Sequence, residues 1–167
     1  MILIQYLIDA MRKKIDNILS TSLIAIMVIL VVDVLWQVAS RYLLRSPSPF
    51  TDELAGFLLI WVGMLGAAYG TGSGLHLAID LLPSRMSPAR RKYLDLVING
   101  FVGLLALSVF VVGGIWLVYT RFYLGQLSAA LQVPLGYVYM VMPISGTFII
   151  YYSIHNTIIS FRNNRAQ

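Results

Sequence analysis

Long runs of apolar residues alternate with short polar segments along this 167-residue chain. A helix crosses the hydrocarbon core of a bilayer with about 20 mostly apolar residues. Four runs reach that length: Ile18–Ala39, Thr51–Thr71, Leu94–Val118 and Gly136–Ile159. Backbone groups in lipid must be hydrogen-bonded within their own segment, and no alternating strand pattern is present, so each run is predicted to be a helix. The expected fold is an all-α integral membrane protein, a single membrane domain with four transmembrane helices.

The segment before the first run also has helical spacing. Leu3, Tyr6, Leu7, Ala10 and Met11 recur at intervals of three and four among polar residues. This pattern is typical of an amphipathic helix that lies in the membrane interface. We therefore predict an interfacial helix over residues 1–17.

Proline residues mark the predicted helix boundaries. Ser48-Pro49 and Ser87-Pro88 each place a capping residue before a proline, which is the preferred order at a helix start. Asp52 and Glu53 then fall in the first turns of the second helix, where the positive end of the helix dipole favours acids. Pro143 lies inside the fourth run and is predicted to kink it.

The composition excludes most other classes of protein. The chain is 59% hydrophobic and 11% charged, whereas a soluble domain has roughly 45–50% apolar and about 25% charged residues. The net charge of +5 comes from short basic clusters between apolar runs, which is typical of membrane edges and not of a nucleic-acid interface. Cysteine is absent. No spacing of metal ligands and no set of catalytic residues is visible, so we predict neither a metal site nor an enzyme.

The basic residues also predict the orientation, because Lys and Arg concentrate on the cytoplasmic side. Nine of them flank the inner ends of the predicted spans and three flank the outer ends. Both termini are therefore expected in the cytoplasm. The inner set is Arg12, Lys13, Lys14, Arg85, Arg90, Arg91, Lys92, Arg162 and Arg165, and the outer set is Arg41, Arg45 and Arg121.

Of all residues in the four runs, Asp33 should cost the most free energy to insert into a membrane. An acid near the middle of a membrane helix costs about 2.5–3.5 kcal/mol on insertion scales. It can be a coupling carboxylate of a proton-driven transporter, or an acid that is hydrogen-bonded or paired at an interface within a protein complex. Gln37, Ser40 and Arg41 continue a polar stripe toward the outer end. The sequence favours the second interpretation, because a lone acid near the outer end can reach partner groups or water.

Small residues form a stripe on the second predicted helix. Gly56, Gly63 and Gly70 recur at intervals of seven, and Gly66 lies between them. Such stripes let helix backbones approach closely, and lipid gives no reason for them. The stripe either packs the four helices of this chain against each other or receives a second protein.

The second run and the segment after it carry a family resemblance. Phe50–Ala68 opens with an aromatic residue and the acidic pair, continues through Trp61 and ends in Gly-Ala-Ala, and His76 and Asp80 follow in the next loop. This order resembles the small membrane subunit of tripartite ATP-independent periplasmic (TRAP) transporters. Trp36–Tyr42 and Ser128–Gly146 resemble the corresponding parts of that family.

The resemblance implies a multi-pass subunit of a bacterial or archaeal cytoplasmic membrane. Its expected partners are a large TRAP membrane subunit, a periplasmic substrate-binding protein that delivers an organic acid, and membrane lipid. The large subunit would use a sodium gradient, and this chain itself would bind no cofactor. The small subunit is expected to brace the large one while its transport domain moves.

Candidate site residues follow from these two lines of argument. We expect the large-subunit interface at Asp33, Gln37, Gly63, Gly66 and Gly70, docking of the binding protein at Arg41, Arg45, Asp52 and Glu53, and a cytoplasmic loop motif at His76 and Asp80.

Two other functions stay open at this point. One is an autonomous four-helix exporter that couples to protons through Asp33. The other is a haem-bearing membrane anchor with His76 and His155 as axial ligands. The substrate (a C4-dicarboxylate, sialic acid or a sugar acid) and whether the large subunit is encoded separately are also open.

Overall fold

The computed structural model describes residues 2–46, 48–73 and 88–163, with side chains for 10–46, 48–73 and 93–160. His76 and Asp80 therefore lie outside the described residues. Regular structure in the described ranges is helical apart from one isolated bridge between Leu127 and Pro134. The elements are α1 (Ile2–Tyr42), α2 (Pro49–Gly72), α3 (Pro88–Leu105), a π-helical segment (Ala106–Gly113), α4 (Gly114–Tyr123), α5 (Leu135–Tyr139) and α6 (Val141–Asn163).

Four stretches of helix are long and apolar enough to cross a membrane, which confirms the predicted fold class. They are Ala10–Tyr42, Pro49–Gly72, Tyr93–Tyr123 and Leu135–Ser160. Each contains one predicted run in full and extends beyond it by one to eight residues at each end. The third span is built from α3, the π-helical segment and α4, and the fourth from α5 and α6.

The first span and the segment before it form a single helix. α1 has 41 residues and is therefore about 60 Å long at 1.5 Å per residue. The chain shows no break near residue 18, where the sequence predicted a separate interfacial helix to end. The reason is local, because neither glycine nor proline occurs before Pro47, and these are the residues that interrupt helices most readily.

The predicted start of α2 is confirmed. Ser48 occupies the N-cap with extended dihedral angles (φ −97°, ψ 106°), and Pro49 is the first helical residue. The Ser48 side chain makes no capping hydrogen bond. Instead, the Thr51 hydroxyl donates to the Ser48 carbonyl at 3.0 Å.

Pro143 breaks the fourth span one turn earlier than the predicted kink. α5 ends at Tyr139, and α6 begins at Val141. A proline ring collides with the carbonyl four residues before it, which here belongs to Tyr139. Pro143 itself lies in the first turn of α6, where a missing amide hydrogen is of little consequence.

The spans are arranged as a row. α1 packs against α2, α2 against α6, and α6 against α3 and the π-helical segment. One apolar cluster joins the first half of the row and contains Leu19, Leu65, Val141 and Tyr152. A second cluster of Ala68, Ala106 and Ile149 joins the other half. α1 and the third span are thus the edges of the row, and each leaves much of its apolar surface uncovered.

Candidate interaction surfaces

Glu53 binds the loop that connects α4 to α5. Its Oε1 accepts the amide of Ala129 at 3.0 Å, and its Oε2 accepts the amides of Ala130 at 2.7 Å and Leu131 at 2.9 Å. Hydrogen bonds to an ionised acceptor are stronger than those between neutral groups. One carboxylate therefore fastens three consecutive amides of a distant loop to the outer end of α2.

The loop is folded so that its three amides point toward Glu53 and not into the loop itself. The Ser128 amide donates to the Val133 carbonyl at 2.9 Å, and the Leu135 amide donates to the Gln126 carbonyl at 3.0 Å. Gln132 completes the turn in the left-handed region, with φ +56°. Because the chain closes on itself on either side of residues 129–131, their amides remain available for Glu53.

A second polar contact joins α1 to α2 at the same end. Gln37 donates its side-chain amide to Asp52 Oδ1 at 2.5 Å. The Ser40 hydroxyl donates to the Gln37 carbonyl at 2.9 Å. Gln37, Asp52 and Glu53, which the sequence assigned to partner proteins, thus all make contacts inside this chain.

The inner ends of three helices are joined by polar side chains. Arg12 of α1 donates to the carbonyl of Gly72, the last residue of α2, at 2.7 Å. Asp16 accepts the phenol of Tyr152 of α6 at 2.5 Å and lies 3.8 Å from Arg12. Asn156 donates to the Thr71 carbonyl at 3.1 Å. None of these residues is marked as a site by the sequence pattern, because the contacts join positions that are far apart along the chain.

The broken fourth span is also tied to α2 within the apolar layer. Trp61 Nε1 donates to the carbonyl of Val138 at 3.0 Å. α5 ends at Tyr139, so the Val138 carbonyl lies in a last helical turn, where carbonyls lack helical partners. Trp61 supplies the hydrogen bond that the break removes.

Asp33 lies inside the row of helices. Among the α1 residues whose side chains the structure describes, the buried ones are Leu19, Asp33 and Ser40, at multiples of seven along the helix, so Asp33 shares the face that packs on α2. Its side chain is only 8% exposed. Oδ2 has no hydrogen-bond partner within the part of the chain that the structure describes. Asp33 is therefore already covered by this chain, unlike the exposed residues on the other sides of α1.

The glycine stripe of α2 is open. A Cβ added to Gly56, Gly63, Gly66 or Gly70 would meet no atom of another described element within 4 Å. At Gly72, by contrast, it would lie 2.6 Å from the Tyr152 ring. Among the described residues, the stripe thus makes no close packing contact with the other spans.

The remaining candidates are Arg41, Arg45 and His155. Arg41 and Arg45 are exposed beside the outer end of α1. His155 is buried in α6, and its ring centroid lies 6.1 Å from that of Tyr151. The second histidine of the haem hypothesis, His76, lies outside the described residues. No group of three or more His, Asp or Glu residues that could hold a metal ion occurs among the residues described.

Comparison with known proteins assigns the family. The family model described as "Tripartite ATP-independent periplasmic transporters, DctQ component" matches residues 27–163. The chain belongs to the DctQ family. The matched region includes all of the second, third and fourth spans and most of the apolar part of the first, so the resemblance found in the sequence is confirmed.

Curated relatives of this DctQ-family chain are also small permeases. The C4-dicarboxylate TRAP transporter small permease protein DctQ of Rhodobacter capsulatus is 29% identical over 59% of this chain and 43% of its own length. The sialic acid TRAP transporter small permease protein SiaQ of Vibrio cholerae is 29% identical over 52% of this chain and 50% of its own. These alignments therefore cover half or less of each of those relatives.

A further relative is a longer protein. The sialic acid TRAP transporter permease protein SiaT of Haemophilus influenzae is 38% identical over 69 residues, which are 41% of this chain and 11% of that protein.

Proposed function

We propose that this chain is the small, scaffolding subunit of a TRAP transporter in the cytoplasmic (inner) membrane. In this proposal it braces a large sodium-coupled subunit that takes up an organic acid delivered by a periplasmic binding protein. The observation that carries the proposal is the combination of an open glycine stripe on α2 with a row of spans joined by polar contacts at both ends. Such a row is suited to hold a fixed shape while a partner moves.

The polar contacts support the fixed part of this role. At the outer end, Glu53 holds the loop at residues 129–131 and Gln37 holds Asp52. At the inner end, Arg12 and Tyr152 join α1, α2 and α6. Side-chain hydrogen bonds between membrane helices contribute on the order of 0.6–2 kcal/mol each. Contacts at both ends therefore resist a change in the angles between the helices.

The relatives support the partner and the substrate class. In SiaT a segment similar to this chain and a much longer remainder form one permease polypeptide, which favours a large membrane partner for this chain. The names of two relatives specify a C4-dicarboxylate and sialic acid. Both are organic acids, and we propose an organic acid as the substrate of the transporter to which this chain belongs, without specifying which one.

We expect Gly63→Leu to detach the large subunit. The position is exposed, and an added Cβ meets no other atom of the described residues within 4 Å, so the small subunit should fold normally. A partner helix packed closely on the stripe would be forced away by the leucine side chain, and the amount of large subunit recovered should fall at least about tenfold. The measurement is a pull-down of the tagged chain from its native membrane in mild detergent, with mass spectrometric quantification of the partner.

Ala25→Leu is the matched control, because it adds bulk at an exposed position of α1. It should leave the complex intact. Equal recovery of the large subunit with Gly63→Leu and with Ala25→Leu would contradict the placement of the interface on the stripe. Recovery of the wild-type chain alone or as a homodimer would contradict the scaffold proposal. It would favour the autonomous exporter, for which the buried Asp33 carboxylate is the specific supporting observation.

We also propose that Arg41 and Arg45 contribute to docking of the binding protein. Of the four docking candidates, Glu53 and Asp52 accept hydrogen bonds within the chain, so the two exposed arginines carry this proposal. Charge reversal of both to Glu should reduce the rate of uptake several-fold at low salt and much less at high salt, because surface charges act mainly on association and are screened by ions. Transport assays in vesicles at two ionic strengths measure this difference.

The same assay with Lys13→Glu/Lys14→Glu controls for net charge, since these exposed residues lie at the opposite end of α1. Assembly should be unchanged in both double variants. If the Arg41/Arg45 variant takes up substrate as fast as the wild type at low salt, these residues do not contribute to docking.

A further inference from the structure

An open groove runs between α3 and α6. It has a volume of about 470 Å³ and is walled mainly by apolar side chains, among them Leu96, Leu104, Ile154 and Ile158. From Leu96 to Leu107 it follows α3 and the start of the π-helical segment for about 17 Å. One leaflet contributes about half of the ~30 Å hydrocarbon core, so the groove has the length of one leaflet's acyl region.

Small residues make the groove deep. A Cβ added to Gly100 would meet nothing within 4 Å, and one added to Gly103 would lie 3.6 Å from Ser153 Cβ. Gly103 and Ser153 thus form a floor on which the two helices touch. Leucine or isoleucine at these positions would fill the space that the groove now leaves open.

The inner ends of the two helices that form the groove are rich in basic residues. α3 begins at Pro88 and carries Arg90, Arg91 and Lys92 in its first turns, and α6 carries Arg162 in its last turn. Asp95, which precedes the groove residue Leu96 on α3, accepts a hydrogen bond from Ser160 at 3.1 Å. The N-terminus of α3 adds the positive end of a helix dipole. Basic sites between membrane helices at the cytoplasmic surface are suited to anionic lipid headgroups.

We infer that this groove binds one anionic phospholipid of the inner leaflet. An acyl chain lies along Gly100 and Gly103 between α3 and α6, and the phosphate lies at the basic start of α3. The charge at the inner end favours a lipid over a partner helix, since a helix would require no cluster of cations there. The site goes beyond the transporter assignment and does not depend on it.

The test uses the full-length chain in nanodiscs that contain equal amounts of phosphatidylglycerol and phosphatidylcholine. After extraction into detergent, native mass spectrometry counts the lipids retained by each variant. The wild type should retain one phosphatidylglycerol. Gly100→Leu, which fills the groove at an open position, should reduce retention of either lipid roughly tenfold. Arg90→Gln/Arg91→Gln should abolish the preference for phosphatidylglycerol.

Lys13→Gln/Lys14→Gln is the matched control, since it removes two cations from the inner end of a different helix, and it should behave as the wild type. The proposal is overturned if the wild type shows no preference for phosphatidylglycerol or if Gly100→Leu retains lipid as the wild type does. It is also overturned if Gly100→Leu instead releases a co-purified membrane protein, because the groove would then hold a helix. The Arg90/Arg91 variant leaves the groove walls unchanged, so it tests the site even if Gly100→Leu misfolds.

Discussion

Glu53→Ala is expected to release the loop between α4 and α5 from α2. The substitution removes the acceptor of three consecutive amides, those of Ala129, Ala130 and Leu131. No other described side chain accepts these amides, so they would have to find water at the outer surface. The purified protein should unfold at a temperature several degrees lower than the wild type, and the loop should become sensitive to proteases under conditions in which the wild type is resistant.

Two neighbouring variants separate the contribution of the carboxylate from that of charge alone. Glu53→Gln keeps one acceptor oxygen in nearly the same place and should fall between the wild type and Glu53→Ala. Asp52→Asn removes the adjacent negative charge but retains an acceptor for Gln37, so it should leave the loop protected. If the loop were equally resistant to proteases in Glu53→Ala and in Asp52→Asn, binding the three amides would not be the main role of Glu53.

The effect on transport distinguishes an anchor from a docking residue. If Glu53 positions the loop, Glu53→Ala reduces uptake together with stability, and raising the ionic strength does not change the ratio of the variant to the wild type. A docking charge behaves differently, because its contribution falls as salt increases. This comparison explains why the Arg41/Arg45 variant, and not a variant of the acidic pair, is the informative test of docking.

The four spans were predictable because their signal is local. Each is a run of apolar residues, and Pro49 and Pro88 mark two helix starts through their own fixed dihedral angle and missing amide hydrogen. The same locality bears on the start of the first span, where α1 continues without a break through residue 18. The sequence separated residues 1–17 from the first span by their polarity, but polarity does not break a helix that has neither glycine nor proline.

The polar contacts were not predictable because their partners are distant. Glu53 lies 76–78 residues from the amides that it binds, and Tyr152 lies 136 residues from Asp16. A first-turn acid is sufficiently explained by the helix dipole, and a tyrosine near the inner surface by the aromatic belt. Neither explanation points to a partner. The packing of the glycines was equally unpredictable from the sequence. Gly63 and Gly72 lie on the same helix, but only Gly72 packs against another helix, at the Tyr152 ring.

The π-helical segment also had no sequence signal, although its position has a structural context. It lies where the third span packs on the start of α6, which Pro143 has displaced from α5. Gly114 lies close to Pro143, since a Cβ added there would be 2.9 Å from Pro143 Cδ. Gly146, one turn further along α6, faces Phe110 of the π-helical segment. The broken fourth span and the π-helical segment therefore fit each other through glycine contacts.

Gly146→Leu is expected to separate these two elements and to destabilise the whole chain. A Cβ at Gly146 would lie 2.8 Å from Phe110 Cβ, 3.0 Å from Val111 Cγ2 and 3.3 Å from the Phe110 carbonyl carbon. Because a Cβ and a backbone carbon cannot move away by a change of rotamer, the π-helical segment itself must shift. Overpacking of this kind destabilises the folded chain by roughly 1–3 kcal/mol, or more where backbone is displaced. Thermal unfolding in detergent measures this loss.

Gly63→Leu, the same change at an open position of α2, is the control. It should leave the unfolding temperature of the isolated chain unchanged or higher, since leucine favours a helix more than glycine does. Equal stability of the two variants would show that Gly146 does not hold the π-helical segment against α6.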